Sequence, residues 1–126
     1  MTRLYFALDL HNDPALIQEY ERWHRPDVIW PTVTNSLQKS GVKDLELYRC
    51  GNRLLQILDV SQEPPHPAMH TAEVDANMIA WEELMWRYQQ PLPFAQAGEK
   101  WVPMNRLFSL RETLSIANLG GMSNGR

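Results

Sequence analysis

Arg3-Leu4-Tyr5-Phe6-Ala7-Leu8-Asp9-Leu10-His11-Asn12-Asp13-Pro14 is the stretch that decides the architecture. Leu4, Phe6, Leu8 and Leu10 alternate with Arg3, Tyr5, Ala7 and Asp9, the period of a strand with one apolar face. The alternation ends at Asn12-Asp13-Pro14, where Asp13 suits a helix N-cap and Pro14 the first helical position. Leu16, Ile17, Tyr20, Trp23 and His24 follow at helical spacing. Pro26 disfavours helical backbone at the residue before it, so the helix is predicted to stop near Arg25.

Working outward, Trp30-Pro31 opens a second helical piece, with Val33 and Leu37 turned inward and Gly41 suited to its C-terminal cap. Residues 45–49 and 53–60 read as strands joined at the turn signal Gly51-Asn52, hence a hairpin. Residues 61–67 hold three prolines and read as a loop. From about Ala72 to Gln89, Val74, Met78, Trp81, Met85 and Tyr88 recur at helical spacing until Pro91 and Pro93 stop the helix. Residues 94–103 look irregular, 104–110 read as the last strand, and 113–126 are expected to be a flexible tail after a domain of residues 1–112. The order β-α-β-β-α-β predicts an α+β, ferredoxin-like βαββαβ sandwich. Two helices cover one face of such a sheet; the other must be solvated, hold a ligand or meet a second subunit. The polar or small residues Arg3, Tyr5, Ala7 and Asp9 favour a wet, ligand-holding face there.

Composition bounds the function. The 126 residues suffice for one domain with one core, and the hydrophobic share of 44% argues against disorder. Twelve basic against fifteen acidic residues give a net charge of −3, which attracts neither nucleic acid nor an anionic membrane. The apolar N-terminal run meets Asp9 and His11 too soon for a signal peptide or a membrane span. Cys50 is the sole cysteine, so no internal disulfide or paired-cysteine zinc site exists. The expectation is a soluble protein of the cytoplasm. Five tryptophans are the compositional excess to be explained.

Tyr20 and His24, four residues apart, are neighbours on one helix face. Imidazole gives or takes a proton near neutral pH, and a tyrosine hydroxyl beside it can hold a substrate oxygen. The same spacing also suits a buried aromatic pair between helix and sheet. Trp81 shares the stripe of Met78 and Met85 and reads as core, whereas Trp86 lies off it and is either a pocket wall or ordinary packing. His66 and His70 sit among Pro64, Pro65 and Pro67, which deny them a helix, and no carboxylate pattern makes them a metal site. Cys50 reads as a structural thiol. The chain has no Gly-rich phosphate loop, nucleophile elbow or basic stripe.

The run Tyr20-Glu21-Arg22-Trp23-His24-Arg25-Pro26, continued by Ile29-Trp30-Pro31, resembles the N-terminal signature of the L-rhamnose mutarotases. The likeness continues through Ser40-Gly41, Tyr48, residues 52–60, Trp86-Arg87-Tyr88 and Phe108-Ser109-Leu110, spanning about residues 3–111. It implies a small homodimer of the dimeric α/β-barrel type that interconverts the α and β anomers of a 6-deoxy-L-hexose, L-rhamnose or L-fucose. It places the catalytic proton donor on His24 and a substrate-binding tyrosine on Tyr20, with Trp30 fixing the segment after His24. A family tyrosine of the second strand falls on Leu45, and a family Trp-Trp pair reads Met85-Trp86. Trp86 is then the expected sugar platform, with Met85 as a softer neighbouring wall.

Mutarotation opens the ring, turns the C1–C2 bond and closes on the other face of the aldehyde, with no cofactor or metal required. It needs a base at the anomeric oxygen and an acid at the ring oxygen. His24 is the expected acid/base, Tyr20 its partner, and Asp9 or Tyr5 a candidate second proton carrier by strand alternation. Two other classes suit the same architecture: a cofactor-free monooxygenase with a His in an apolar pocket, and a sugar-binding module without catalysis.

Overall fold

The computed structural model describes residues 2–61 and 72–119. Its centre is β1 (Thr2–Leu10), which pairs antiparallel with β3 (Arg53–Val60), itself paired antiparallel with β2 (Val42–Cys50). On the other edge of β1 lie two short antiparallel strands, β4 (Gln89–Gln90) and β5 (Val102–Pro103). The order β2-β3-β1-β4 is that of a split βαβ sheet. The helices are α1 (Pro14–Trp23), α2 (Pro31–Lys39), α3 (Ala72–Trp86) and α4 (Leu110–Leu119). The α+β class expected from the sequence is thus present.

Local chemistry sets the joints. The Asp13 carboxylate accepts from the backbone N–H groups of Ala15 and Leu16, and Pro14 follows at the first helical position, so α1 starts where the sequence predicts. α2 ends at Ser40, and Gly41 then takes a φ of +93°, where a Cβ would lie 2.9 Å from Ser61 Oγ. Asn52 ties the hairpin turn to the end of β1, its amide donating to the Leu10 carbonyl at 3.0 Å.

Register decides the faces. Leu8 lies opposite Leu54, Phe6 opposite Gln56 and Leu4 opposite Leu58, while Leu47 and Leu45 of β2 lie opposite Gln56 and Leu58. Cross-strand partners share a face, so these residues form the helix-side surface. There Leu10 and Leu54 join Tyr20, Val33, Trp81, Met85 and Tyr88 in the main core cluster. The opposite surface carries Arg3, Tyr5, Ala7 and Asp9 with Leu55, Ile57 and Asp59. Tyr5 and Tyr48 on that side are 39% and 53% exposed.

Two expectations change. The last strand is predicted over 104–110, but the chain reaches the β1 edge earlier. It leaves α3 directly into β4, breaks at Pro91 and Pro93, and returns as β5. A proline cannot donate to a ladder, which keeps both strands at two residues. After Met104 N–H donates to the Tyr5 carbonyl, residues 105–109 find no strand partner. Alternation alone does not make a strand without one. Where a flexible tail is expected from residue 113, α4 is helical through Leu119. The second helical piece is a full helix, α2, packed on α3. His66, His70 and the prolines between them lie outside the described residues. No helix among the described residues is long and apolar enough to cross a membrane.

Candidate active site

The end of α1 builds the centre of the site. The last carbonyls of a helix lack intrahelical partners. His24 is the C-cap residue, and its backbone N–H turns back to the Glu21 carbonyl at 3.1 Å. Its ring takes the carbonyl one residue earlier: His24 Nδ1 lies 2.8 Å from Tyr20 O. A carbonyl only accepts, so Nδ1 carries the proton and Nε2 of the neutral ring keeps its lone pair. Nε2 has no partner among the described residues. The Tyr20 and His24 rings lie with centroids 4.5 Å apart, and Trp81 meets His24 edge-on at 5.5 Å.

Tyr20 and His24 line a cavity of about 490 Å³ between the helices and the sheet. Leu45, Leu47 and Gln56 contribute the sheet side, Val33 and Leu37 come from α2, Trp81 and Met85 from α3, and Gln89 and Trp101 from the last part of the chain. Burial lowers the His24 pKa from its ordinary value of 6.5, partly offset by the hydrogen bond to the Tyr20 carbonyl. Burial likewise raises Tyr20, to about 12, partly offset by the hydrogen bond from Gln89. Around neutral pH the pair is therefore a neutral imidazole beside a protonated phenol. Gln89 Nε2 donates to Tyr20 Oη at 3.2 Å, and the Tyr20 proton has no acceptor among the described residues. The arrangement offers one base and one hydroxyl donor to an uncharged, hydroxyl-bearing ligand.

Of the residues singled out in the sequence, His24, Tyr20, Met85 and Leu45 come together in this cavity. Tyr20 and Met85 are 3% and 2% exposed, so each shows the cavity little more than one face. Trp30 stands behind the wall: it packs edge-on against Trp81 at 5.2 Å and does not line the cavity. Trp86 is elsewhere. It is 43% exposed and borders an open groove with Ile79, Glu83 and Lys100, whose ammonium lies 5.4 Å from its ring centroid; this groove meets the cavity at Met78 and Glu82. Five residues of helix turn a side chain about 140° away, so Trp81 and Trp86 cannot face one pocket, whereas Met85 returns to within about 40° of Trp81. The indoles at the cavity are Trp81 and Trp101.

Tyr5 and Asp9 stand on the opposite surface of the sheet, and neither lines the cavity. Asp9 is held by Arg53 through contacts of 2.8 and 3.2 Å. The wet face expected to hold a ligand is therefore not the one that carries His24. Sequence spacing also passes over Gln56, Gln89 and Trp101. Gln56 was legible, as the one polar residue in the inward set Leu54, Gln56, Leu58 and Val60. Gln89 and Trp101 gave no such signal, because each sits beside a proline-interrupted segment with no period to read. Among the described residues, no group of three His, Cys, Asp or Glu side chains is placed to hold a metal ion.

Similarity to known proteins adds to this geometry. The sequence profile of the L-rhamnose mutarotase family matches residues 3–110. An L-fucose mutarotase of Xanthomonas campestris pv. campestris is 45% identical over 117 residues, which are 92% of this chain and 94% of that protein. A UPF0734 protein of Dictyostelium discoideum is 30% identical over 109 residues, covering 82% of this chain and 86% of its own length. Among solved structures, an L-rhamnose mutarotase from Formosa agariphila superposes with a TM-score of 0.61 at 21% identity, covering 87% of this chain and 99% of that one. The tetracenomycin F2 cyclase of Streptomyces glaucescens, a type-II polyketide cyclase, superposes at 0.52 with 18% identity, over 86% and 96% of the two chains. At such identities these two likenesses speak for the fold and leave the chemistry to the site.

Proposed function

Because the chain belongs to the L-rhamnose mutarotase family, and is a sugar mutarotase and so an isomerase, we propose that it interconverts the α and β anomers of a 6-deoxy-L-hexose, with L-fucose preferred to L-rhamnose. The preference is supported by the 45% identity to an L-fucose mutarotase along nearly the whole chain. The observation that carries the mechanism is the pinned imidazole, whose Nδ1–H on the Tyr20 carbonyl leaves Nε2 as a base beside a protonated phenol.

Nε2 takes the proton from the anomeric hydroxyl as the C1–O1 bond becomes a carbonyl and the C1–O5 bond breaks. The ring oxygen, released as an alkoxide and more basic than a phenolate, takes the Tyr20 proton. After rotation about C1–C2, closure on the other aldehyde face runs both transfers backwards, so His24 and Tyr20 end as they began. No net charge enters or leaves the cavity, in keeping with buried walls of Leu, Met, Val and Trp and with charges only at the exposed Lys43, Asp44 and Glu82. General acid–base help of this kind is worth typically 10²–10⁴-fold.

Exchange NMR on anomerically equilibrated L-fucose and L-rhamnose tests the reading. Interconversion well above the uncatalysed rate is expected, faster for L-fucose; no acceleration of either sugar would overturn it. We further propose a homodimer seated on the open sheet surface, where Tyr5, Tyr48, Leu55 and Ile57 offer an apolar patch between ion pairs. A dimer mass in solution that falls to a monomer in Ile57→Glu is the expected result. The lone, exposed Cys50 suits the reducing cytoplasm, and residues 1–112 form the mutarotase domain in this reading.

A further inference from the structure

Gln89 is 3% exposed, yet its side-chain Oε1 has no hydrogen-bond partner among the described residues. Buried amide oxygens are almost always paired, and leaving one unpaired costs stability that a Leu or Met of similar size would not. The bond to the buried Tyr20 hydroxyl accounts for one end of the amide only, and the neighbouring core residues Leu10, Met85 and Tyr88 give the other end no partner. Turning the amide over does not remove the vacancy. Tyr20 Oη would then meet Oε1, and the NH₂ group would be the end left over.

The spare end belongs to the cavity. β4 sets Gln89 opposite Leu10, whose side chain lies on the helix side of the sheet, and Gln89 lines the same cavity as His24. A second amide, Gln56, enters from β3 opposite Leu47 of β2. The buried part of the sheet side therefore carries two neutral amides, with the exposed Lys43 and Asp44 beyond them, while the helix side carries the imidazole and phenol. The charged residues that also line the cavity, Lys43, Asp44 and Glu82, are all exposed, so the buried part presents amides, which suit hydroxyl groups that both give and take a hydrogen bond.

We propose that Gln89 is the specificity residue of the site, accepting a hydrogen bond from one ring hydroxyl of the sugar, at C2 or C4. Those are the two carbons whose configuration distinguishes L-fucose from L-rhamnose. The proposal rests on the mutarotase reading and deepens it: α1 supplies the proton transfers, and Gln89 reads the substituent pattern through the unpaired end of its amide. Tyr20 joins the two functions, because the same amide that meets the sugar donates to its hydroxyl.

The test compares wild type with Gln89→Leu and Gln89→Met on L-fucose, L-rhamnose, 2-deoxy-L-fucose and 4-deoxy-L-fucose. Exchange NMR gives kcat/KM, and saturation-transfer NMR gives binding. Loss of the Gln89 bond to Tyr20 slows every sugar alike, so the ratio between sugars isolates the hydroxyl contact. In wild type, one deoxy sugar is expected to fall on the order of 10–100-fold below L-fucose. In both variants that ratio is expected to collapse toward one, with the acid limb of the pH profile, which His24 sets, unchanged. An unaltered ratio in the folded variants would overturn the assignment, as would a wild type indifferent to both deoxy sugars. If the wild type accelerates no sugar, the mutarotase reading fails, and the binding ratios alone then decide on Gln89: a collapse in the variants upholds it, and unchanged ratios or no binding overturn it.

Discussion

The two surfaces of the sheet use their polar side chains in opposite ways. On the open surface each charge is spoken for. Arg3 meets Asp59 at 2.7 Å, Arg53 meets Asp9 at 2.8 Å, and Tyr48 Oη donates to Glu46 at 3.0 Å. On the helix side His24 Nε2, the Tyr20 proton and Gln89 Oε1 are buried or half-buried and lack partners among the described residues. These groups, the buried Asp9 carboxylate included, satisfy one another and are left with no free valence for chemistry. Unpaired groups in a low-dielectric cavity weaken the empty protein and are poised for a ligand. The contrast locates function by what is left unsatisfied rather than by residue type.

Removing His24 attacks the helix side most directly. His24→Ala is expected to slow anomer exchange 10²–10⁴-fold, checked by exchange NMR at saturating sugar. Tyr20→Phe keeps the ring and deletes the proton, so a loss on the order of 10–100-fold is expected, with the Gln89 amide then without an acceptor. Acidity offers a gentler route. The active imidazole is neutral, and burial holds its pKa below 6.5, so the rate should rise with pH through that lowered value and be level by neutrality. It should fall again only as Tyr20 ionises near 12. Stability follows the same sign. Between the lowered folded pKa and 6.5 the unfolded chain binds more protons at this site than the folded one. The contribution of His24 is therefore complete above 6.5 and declines as pH falls through that window. A rate already falling between pH 8 and pH 7 would show that the controlling group is not His24.

Much of this was legible beforehand, for reasons that differ residue by residue. The alternation of Leu4, Phe6, Leu8 and Leu10 and the Asp13-Pro14 cap are local, and local physics sets β1 and α1. Tyr20 and His24 share a face because helix geometry leaves no alternative. The assignment of the site to a sheet surface was not legible, because strand alternation separates two faces without saying which one a ligand prefers. Residues 104–110 misled because a run becomes a strand only through ladder bonds: β4 and β5 pair β1 at residues 6, 7, 9 and 10, and past Pro103 the Met104 N–H bond to the Tyr5 carbonyl is the last one formed. Trp101 enters the cavity through tertiary packing of an irregular segment, which no periodicity encodes.

The open surface can be broken without touching catalysis. Asp9→Asn removes the charge that Arg53 meets and leaves the shape of the residue nearly intact. The melting temperature is expected to drop by a few degrees, while the exchange rate per folded molecule stays within about 2-fold of wild type. A rate loss near that of Tyr20→Phe would instead make Asp9 a proton carrier acting through the sheet, and the separation of the two surfaces would fail.

Trp86→Ala should have the smallest effect of all, and it is informative for that reason. An indole next to Met85 in sequence invites a place in the sugar site, and the likeness to the family's Trp-Trp pair strengthens the invitation. The helix turns it away, into a groove shared with Lys100. With 43% of its surface already in water, truncation forfeits little burial and leaves no internal cavity. A change in kcat/KM of less than about 3-fold is therefore expected. Trp81→Ala, by contrast, removes a 5%-exposed ring and should cost about 3–5 kcal/mol of stability. If Trp86→Ala weakened sugar binding 10-fold or more while folding normally, the groove would have to communicate with the cavity, through closure of the segment that carries Lys100 and Trp101 over α3. The pair of variants thus measures whether the site ends at the Trp81 wall or extends across the helix to its outer side.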